Sequence, residues 1–328
     1  MNGSTTISVA MCTCNGAPYL RQQLESITAQ THPPNELVVC DDRSTDNTVT
    51  ILKNYMAGST FPVHLFFNEH QLGPTNNFEK AISLCTGNLV ALSDQDDIWR
   101  SDKLEWIADA FARSPQAGAV FSNAGVVNEH GDPLGLSLWQ DYFNKSDRLK
   151  FAEGHATEVL LRHNVVTGAT LALRAEFRNL LLPIPSQWLH DAWIALMIAA
   201  CADIVPLPEP LIQYRRHSQQ RIGLRPPRQW LDYPRSRDSY AAVAAHYELA
   251  RDRLAAFTGQ LRHPELVGEI QHKIDHYNFR ATLPPQAVQR VPKVLREWLN
   301  GGYGRYSNSW RSAANDLFFW IDRTPPAV

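Results

Sequence analysis

Three carboxylates lie within four consecutive positions of this chain, at Asp94, Asp96 and Asp97. They follow the apolar stretch 88–92, which has the pattern of a buried strand. Ligands of α/β sheets bind at the carboxyl ends of the strands, so these aspartates are expected at a binding crevice. Because crowded carboxylates repel one another and oxygen ligands suit Mg²⁺ or Mn²⁺, the cluster predicts a metal ion that bridges the protein to a diphosphate. A solvated acidic turn that caps the next helix is the alternative.

The elements that must hold these aspartates are predicted by the first third of the sequence. Apolar runs predict four strands, at residues 7–11, 37–40, 63–67 and 88–92. Helical spacing between them completes a βαβα alternation, which predicts a parallel sheet with helices on both faces. Polar groups follow three of the strands, at 13–16, 41–42 and 94–97. Since parallel strands end at the same edge of a sheet, these groups should converge on one crevice.

The rest of the chain divides into a mixed middle and a helical end. Further strands are predicted at residues 119–122, 170–174, 204–207 and 211–214. An apolar helix should begin at His190, and three stretches after Pro226 carry apolar residues at helical spacing. We therefore expect a catalytic domain over residues 1–225 and a helical C-terminal region over residues 226–328. The helices should pack on the catalytic domain or on a second copy of the chain, and carry acceptor or partner contacts.

Composition excludes several classes of function. The 328 residues are 44% hydrophobic with a formal net charge of −2, which gives no basic surface for nucleic acid. The five cysteines lack metal-ligand spacing and suit a reducing cytosol. The N-terminus has no secretory pattern, and the longest apolar run, 192–202, is too short to span a bilayer. We therefore expect a soluble, cytoplasmic protein, with contact at the inner face of the membrane left open.

Several pieces of the sequence match a known family, in order along the chain. They are residues 8–16 (SVAMCTCNG), 38–47 (VVCDDRSTDN), 68–78, 93–99 (SDQDDIW) and 188–193 (WLHDAW). Over its first two thirds the chain resembles the family 2 glycosyltransferases with the GT-A fold. The DQDDIW form and residues 214–217 (YRRH) resemble a bacterial rhamnosyltransferase-like branch. One departure is Arg43, where the family usually has glycine after the paired aspartates.

The resemblance implies roles for the residues on the donor side of the crevice. Thr13, Asn15 and Asp41 would lie near the nucleotide base and ribose. Asp94 would face the ribose, and Asp96 would bind the metal ion.

Two further aspartates of these loops have less specific assignments. Asp42 is assigned to the nucleotide, with a turn or helix cap shared with Ser44 as the alternative. Asp97 is expected to be structural.

Asp191 is the candidate general base on the acceptor side. Inverting glycosyl transfer needs a carboxylate that takes the proton of the acceptor hydroxyl while the metal neutralises the leaving diphosphate. At the start of a helix, Asp191 could instead be a simple N-cap. His190 is expected to shape the acceptor side of the site rather than to catalyse.

Residues near the end of the catalytic part complete the predicted site. Arg215 and Arg216 are assigned to the diphosphate, because guanidinium groups are planar, always charged and bidentate. His217 is assigned to the metal, since neutral imidazole can complete a shell that carboxylates leave open. A solvated basic loop, or a link to the helical region, is the alternative for all three. Stacking on sugar faces is predicted, with packing as the alternative, for three tryptophans: Trp99, Trp188 and Trp193.

The sequence therefore predicts an inverting glycosyltransferase that depends on Mg²⁺ or Mn²⁺ and uses a dTDP- or UDP-sugar, with dTDP-L-rhamnose first. The resemblance implies a glycan or lipid-linked glycan acceptor, in the synthesis of a bacterial surface polysaccharide. A protein acceptor, peripheral membrane association and a homodimer stay open.

Two other functions compete with this prediction. A nucleotidyltransferase that makes nucleotide sugars usually has a glycine-rich, basic loop after the first strand, which residues 12–16 lack. A non-catalytic nucleotide-sugar-binding protein is disfavoured because Asp94, Asp96 and Asp191 are all present.

Overall fold

The computed structural model describes residues 5–218, 220 and 236–318. The chain forms two compact units. Unit 1 comprises residues 1–154 and 165–224, and unit 2 comprises residues 155–164 and 225–328.

Unit 1 is built on a mixed sheet, in which nine strands are seen among the described residues. The strands are β1 (Ile7–Thr13), β2 (Glu36–Asp41), β3 (Val63–Phe67), β4 (Leu89–Ser93), β5 (Ile98–Trp99), β6 (Ala117–Val127), β7 (Pro133–Ser137), β8 (Leu171–Arg174) and β9 (Asp203–Arg215). Their order is β3-β2-β1-β4-β8-β6-β9-β5, and β7 pairs with β6. Strands β1 to β4, β6 and β9 run in one direction, so the sheet is mostly parallel, as predicted.

The described helices follow the order of the strands along the chain. They are α1 (Ala17–Thr28), α2 (Thr48–Gly58), α3 (Gly73–Leu84), α4 (Lys103–Arg113), α5 (Leu138–Tyr142), α6 (Lys145–Ala152), α7 (Ala156–Arg162), α8 (Arg178–Leu181), α9 (His190–Ala199), α10 (Arg237–Ala256), α11 (Leu266–Ala281), α12 (Ala287–Leu299), α13 (Gly302–Tyr306) and α14 (Trp310–Phe318). A short 3₁₀ turn, Gly168–Thr170, leads into β8. The first three helices alternate with the first four strands, which confirms the predicted βαβα start.

The pairing register of the strands determines where the polar loops leave the sheet. In the parallel pair β1–β2, Thr13 lies opposite Asp41, and in the pair β1–β4, Met11 lies opposite Ser93. Strand β1 is buried along its whole length, so a slip of one residue would move every side chain to the opposite face of the packed core. The loops after β1, β2 and β4 therefore leave the sheet at one edge.

One predicted break in the sheet is wrong. The sequence predicted two short strands at 204–207 and 211–214, whereas β9 is continuous from Asp203 to Arg215. Pairing with β6 shifts register between Ser122 and Asn123, opposite the proline-containing stretch 207–210. An irregularity of this kind lets a strand pass residues that cannot donate to the ladder.

Unit 2 is helical, with α7 and α10 to α14, which confirms the helical C-terminal region. Leu283, Val294, Tyr303 and Ala313 form a buried apolar cluster within it. Gly301, with φ of 81°, follows the end of α12, as the Asn300-Gly301-Gly302 sequence predicted. Within the described residues, no helix is both long enough and apolar enough to cross a membrane.

Candidate functional site

A cavity of about 470 Å³ opens where the loops after β1 and β4 meet the 3₁₀ turn, the start of α9 and the end of β9. All of its lining residues belong to unit 1. Eight predicted site residues lie on its wall: Thr13, Asn15, Asp42, Asp94, Asp96, His190, Asp191 and His217. The structure therefore brings the donor-side and acceptor-side candidates into one cavity.

The loop after β1 is held by a carboxylate behind the cavity wall. Asp41 is buried and accepts hydrogen bonds from Thr13 Oγ1 (2.8 Å), Ser44 N (2.9 Å) and Ser44 Oγ (2.5 Å). Arg43 has a φ of 60°, a conformation that usually favours glycine. The turn thus keeps a left-handed residue at the position where the family has glycine.

Asp42 fixes the entry to α3. Its carboxylate accepts hydrogen bonds from Leu72 N (2.7 Å), Gly73 N (3.0 Å) and Asn68 Nδ2 (3.0 Å). The proposed sharing with Ser44 is wrong, because Ser44 bonds to Asp41 instead. Asp42 therefore ties the end of β2 to the residues that begin α3.

The acidic loop after β4 brings buried carboxylates close together, with Lys103 as a partly compensating charge. Burial, together with the negative charges of Asp96 and Asp191, raises the pKa of Asp94 to about 7. Burial also raises the pKa of Asp97, which points inward and accepts from Arg215 N at 3.1 Å. Repulsion of this kind is what a bound cation would relieve.

Asp96 and His217 are the two candidate metal ligands that the structure brings together. Asp96 Oδ2 lies 2.9 Å from His217 Nε2, and the His217 ring lies 4.6 Å from the ring of Tyr19. Among the described residues, no group of three or more His, Cys, Asp or Glu side chains could hold a metal ion. Mg²⁺ sites commonly use one or two protein carboxylates and complete the shell with phosphate and water. Asp96 supplies a carboxylate of that kind, and the His217 imidazole lies next to it.

Gln95 connects the two donor-side loops, a role that the sequence did not reveal. Its Oε1 accepts from Cys14 N (2.8 Å), and its Nε2 donates to Cys14 O (3.1 Å). A methyl group on Gly16 would lie 2.1 Å from Gln95 Oε1, so the amide occupies the space that a side chain at 16 would need. The only available signal was the position of an amide between two carboxylates in DQDD.

The acceptor side of the cavity is formed by the first residues of α9. Asp191 Oδ2 accepts from Gly168 N at 3.1 Å, and Oδ1 accepts from Ala192 N at 2.6 Å. Burial raises the pKa of Asp191, a shift that favours uptake of a proton. The N-cap alternative is not met, because the N-cap of α9 is Leu189 and Asp191 lies inside the helix as its second residue. Its side chain accepts from an N–H of the first turn and also lines the cavity.

His190 packs tightly against the 3₁₀ turn. Its ring stacks on Phe78 with centroids 4.1 Å apart, and a methyl group on Gly168 would lie 2.5 Å from His190 Nε2. Burial lowers the pKa of His190, so the ring is neutral near pH 7. Sequence reasoning missed Gly168, because only the fold brings this turn to α9.

The two arginines do not line the cavity. The Arg215 guanidinium is buried and donates to the carbonyls of Asp96 (2.8 Å) and Glu129 (3.0 Å) and to Gln22 Oε1 (2.7 Å). The predicted diphosphate contact of Arg215 is therefore wrong, because its donors are taken by the protein. Arg216 also lies off the cavity wall, and its backbone N–H donates to Val127 O at 2.9 Å.

The three tryptophans also lie off the cavity wall and are buried. Trp193 Nε1 donates to Leu181 O at 2.9 Å, and its ring packs edge-on against Trp188. Trp99 packs beneath the Nζ of Lys103, 3.7 Å from the ring centroid. The sugar-stacking prediction is wrong for these residues, and packing is the correct alternative.

Comparison with known proteins shows which family the chain resembles. The sequence model named Glycosyl transferase family 2 matches residues 8–165. Residues 8–165, just under half of the chain, are thus similar to a family 2 glycosyltransferase domain. An uncharacterized glycosyltransferase, alr2836 of Nostoc sp., is 29% identical over 217 residues, which are 64% of this chain and 65% of that protein. The chain thus spans just under two thirds of that relative.

Solved structures show the fold of this domain. TarS 1–349 of S. aureus, solved with UDP-GlcNAc, is 16% identical with a TM-score of 0.59, covering 94% of this chain and 90% of TarS 1–349. The mannosyltransferase PcManGT of Pyrobaculum calidifontis, solved with GDP-Man and Mn²⁺, is 17% identical with a TM-score of 0.55, covering 96% and 86%. The predicted GT-A fold is confirmed.

Proposed function

We propose that this chain is an inverting, metal-dependent glycosyltransferase whose catalytic machinery lies within residues 1–225. The observation that carries the proposal is the single cavity that holds Asp94, Asp96 and His217 together with Asp191. The raised pKa of Asp94 arises partly from Asp191, so the donor and acceptor carboxylates are close enough to interact. A donor carbon between them would meet the acceptor hydroxyl on the side of Asp191.

On the donor side, Asp96 and His217 would hold a divalent cation. When bound, that cation neutralises the charge that develops on the leaving diphosphate. Thr13 and Asn15 would contact the base, and Asp94 the ribose. Asp42 holds the end of β2 against the start of α3 through its three hydrogen bonds. We still propose that Arg216 binds the diphosphate, which its side chain would reach by moving when the donor binds.

On the acceptor side, Asp191 would take the proton of the attacking hydroxyl. Its raised pKa makes it a better base than an exposed aspartate. The Gly168 N–H holds one carboxylate oxygen, which fixes the direction of the other. The neutral His190 ring forms the wall beside it.

We propose dTDP-L-rhamnose as the first donor to test, on the DQDDIW and YRRH sequences. UDP-GlcNAc and GDP-mannose follow, because these are the sugar nucleotides in the TarS and PcManGT structures. The proposed acceptor is a glycan, or a lipid-linked glycan at the inner face of the membrane. The helical residues 226–328 would contribute acceptor or partner contacts.

The test is donor hydrolysis and thermal shift with each sugar nucleotide, with and without Mn²⁺. We expect one donor to be hydrolysed slowly and to raise the melting temperature only with metal, since a ligand of the folded state stabilises it. Asp96→Asn should lose both effects. Asp109→Asn, an exposed aspartate on α4, is the matched control and should keep them. Metal-dependent turnover that survives in Asp96→Asn would contradict the proposal.

A further inference from the structure

One face of α12 carries apolar side chains that are exposed. Their spacing of three, four, three and one residues places them on one stripe of the helix. They are Val288 (86% exposed), Val291 (41%), Leu295 (51%), Trp298 (38%) and Leu299 (83%). A different face is buried, through Arg290 and Val294. We call these five exposed side chains the α12 stripe.

The α12 stripe is part of a wider concentration of exposed apolar groups. Trp310 (62% exposed) and Phe318 (76%) lie on α14 of the same unit. Seven of the fifteen large apolar side chains that are exposed among the described residues therefore lie within residues 288–318. A concentration of this size marks an interaction surface rather than scattered exposure.

The exposed charged residues of the segment 287–318, which contains the α12 stripe, are all basic. Residues 287–318 contain five basic residues, of which four are exposed: Lys293, Arg296, Arg305 and Arg311. The two acidic residues of this segment are engaged inside unit 2. Glu297 bonds to His276 Nδ1 (2.6 Å), and Asp316 bonds to Arg280 Nε (2.7 Å). The chain as a whole has a net charge of −2, so this segment has the opposite sign.

Arg296 flanks the apolar stripe next to Leu299, and Lys293 lies farther round on the polar side of α12. The 13-residue helix is far too short to span a bilayer. An amphipathic helix with a basic polar face and tryptophan or leucine on its apolar face instead lies in the plane of the membrane interface. Its cations then meet anionic headgroups while its apolar side chains enter the acyl boundary.

A second copy of the chain fits this surface poorly. In a two-fold symmetric contact, the same patch meets itself. Arg296 of each copy would then lie at the edge of the contact, with no exposed acid within residues 287–318 to pair with it. Like charges brought together in this way oppose association.

We propose that the α12 stripe binds an anionic lipid bilayer, with α12 lying flat and Lys293 and Arg296 facing the headgroups. The proposal rests on the proposed function and deepens it. A lipid-linked acceptor lies in a membrane, and the α12 stripe would bind unit 2 to that membrane. Lipid binding is measured without donor or acceptor. It can therefore fail while donor hydrolysis in solution succeeds, and the reverse also holds.

The experiment is co-sedimentation of the full chain with vesicles of phosphatidylcholine alone or mixed with phosphatidylglycerol. We expect binding to the mixed vesicles, little binding to the neutral ones, and weaker binding as salt rises. Lys293→Gln with Arg296→Gln should weaken binding about 25-fold, since each cation lost costs about five-fold. Leu295→Glu should weaken it at least about ten-fold, because a charge then faces the acyl boundary.

Met56→Glu is the matched control, because Met56 is 44% exposed on α2 and lies outside α12. It should bind vesicles as the parent protein does. Unchanged far-UV circular dichroism and melting temperature in every variant would show that unit 2 is folded. Equal binding to neutral and anionic vesicles, or parent-like binding by Leu295→Glu, would overturn the proposal. So would a dimer in sedimentation equilibrium that Leu295→Glu dissociates, without vesicle binding, since the stripe then belongs to a second copy.

Discussion

Two backbone N–H groups fix the orientation of the buried carboxylate of Asp191. Asp191 accepts from Gly168 N and Ala192 N, so its orientation depends on the 3₁₀ turn and on the first turn of α9. Gly168 can lie there because it has no side chain to meet His190. A residue that could have been a plain helix cap is thereby aimed into a cavity.

Asp191→Asn is expected to separate catalysis from donor binding. The amide keeps the shape and can still accept from Gly168 N, but it cannot take a proton. Loss of a positioned general base costs roughly 10²- to 10⁴-fold in rate. Single-turnover transfer and donor titration measure the two effects, with Asp109→Asn as the control. Transfer within a few fold of the parent would leave Asp191 with a structural role in the first turn of α9.

At the scale of elements, one buried lysine connects α4 to the 3₁₀ turn Gly168–Thr170. Lys103 is the first residue of α4 and is fully buried. Its Nζ donates to Ala169 O at 2.8 Å and lies 3.7 Å from the Trp99 ring centroid. Burial lowers the pKa of Lys103 to about 7, against the opposing charges of Asp97 and Asp94. The lysine holds the turn that in turn holds Asp191.

Lys103→Met is expected to lower the turnover number while the donor KM stays nearly constant. Methionine keeps most of the volume but loses the hydrogen bond to Ala169 O. A small misplacement of a catalytic group can cost roughly 10- to 100-fold. Steady-state kinetics at several donor concentrations measure the split. Lys53→Met, at an exposed position on α2, serves as control. Equal losses of turnover in Lys103→Met and Lys53→Met would show that Lys103 does not position Asp191.

The same elements show what sequence could predict. Strands β1 to β4 were predicted within two residues at each end, because their apolar runs are continuous and bounded by turn residues. The partners of the side chains at the sheet edge were harder to predict from sequence than the strands themselves. Arg215 binds carbonyls from residues 96 and 129, which no local pattern brings together. Trp99 and Trp193 likewise have partners set by tertiary packing, so an aromatic at a predicted site could equally be core.

At the scale of the whole molecule, each unit has its own buried ionic groups. In unit 2, Asp316 accepts from Arg280, Tyr240 and Tyr303, and all four side chains are buried. Lys273 is also buried, donates to Leu161 O and lies 4.0 Å from the Tyr247 ring centroid. These groups make the stability of unit 2 sensitive to pH.

Unit 2 should gain stability as the pH rises from about 7 toward 9.5. Burial, with the charge of Arg280, lowers the pKa of Lys273 to about 7 in the folded state. In that range the unfolded chain still binds the proton and the folded state releases it, so the free energy of unfolding increases with pH. The slope from this group is at most roughly 1.4 kcal/mol per pH unit.

Guanidinium unfolding at several pH values, in the parent and in Lys273→Met, measures this contribution. The difference between the two proteins isolates Lys273 from the other titrating groups. Burial raises the pKa of Tyr240 and Tyr303, so their opposite effect begins only near pH 10. Parallel pH curves for the two proteins would show that Lys273 does not titrate in this range.

The contact between Gln95 and Gly16 couples the changes that these two positions can undergo over generations. A methyl group at 16 would collide with the amide of Gln95, so alanine there requires the Gln95 side chain to move away. Shortening residue 95 to serine first removes the obstruction, at the cost of both hydrogen bonds to Cys14. The two substitutions are therefore epistatic. In either order, reaching alanine at 16 displaces the Gln95 amide from its two hydrogen bonds to Cys14.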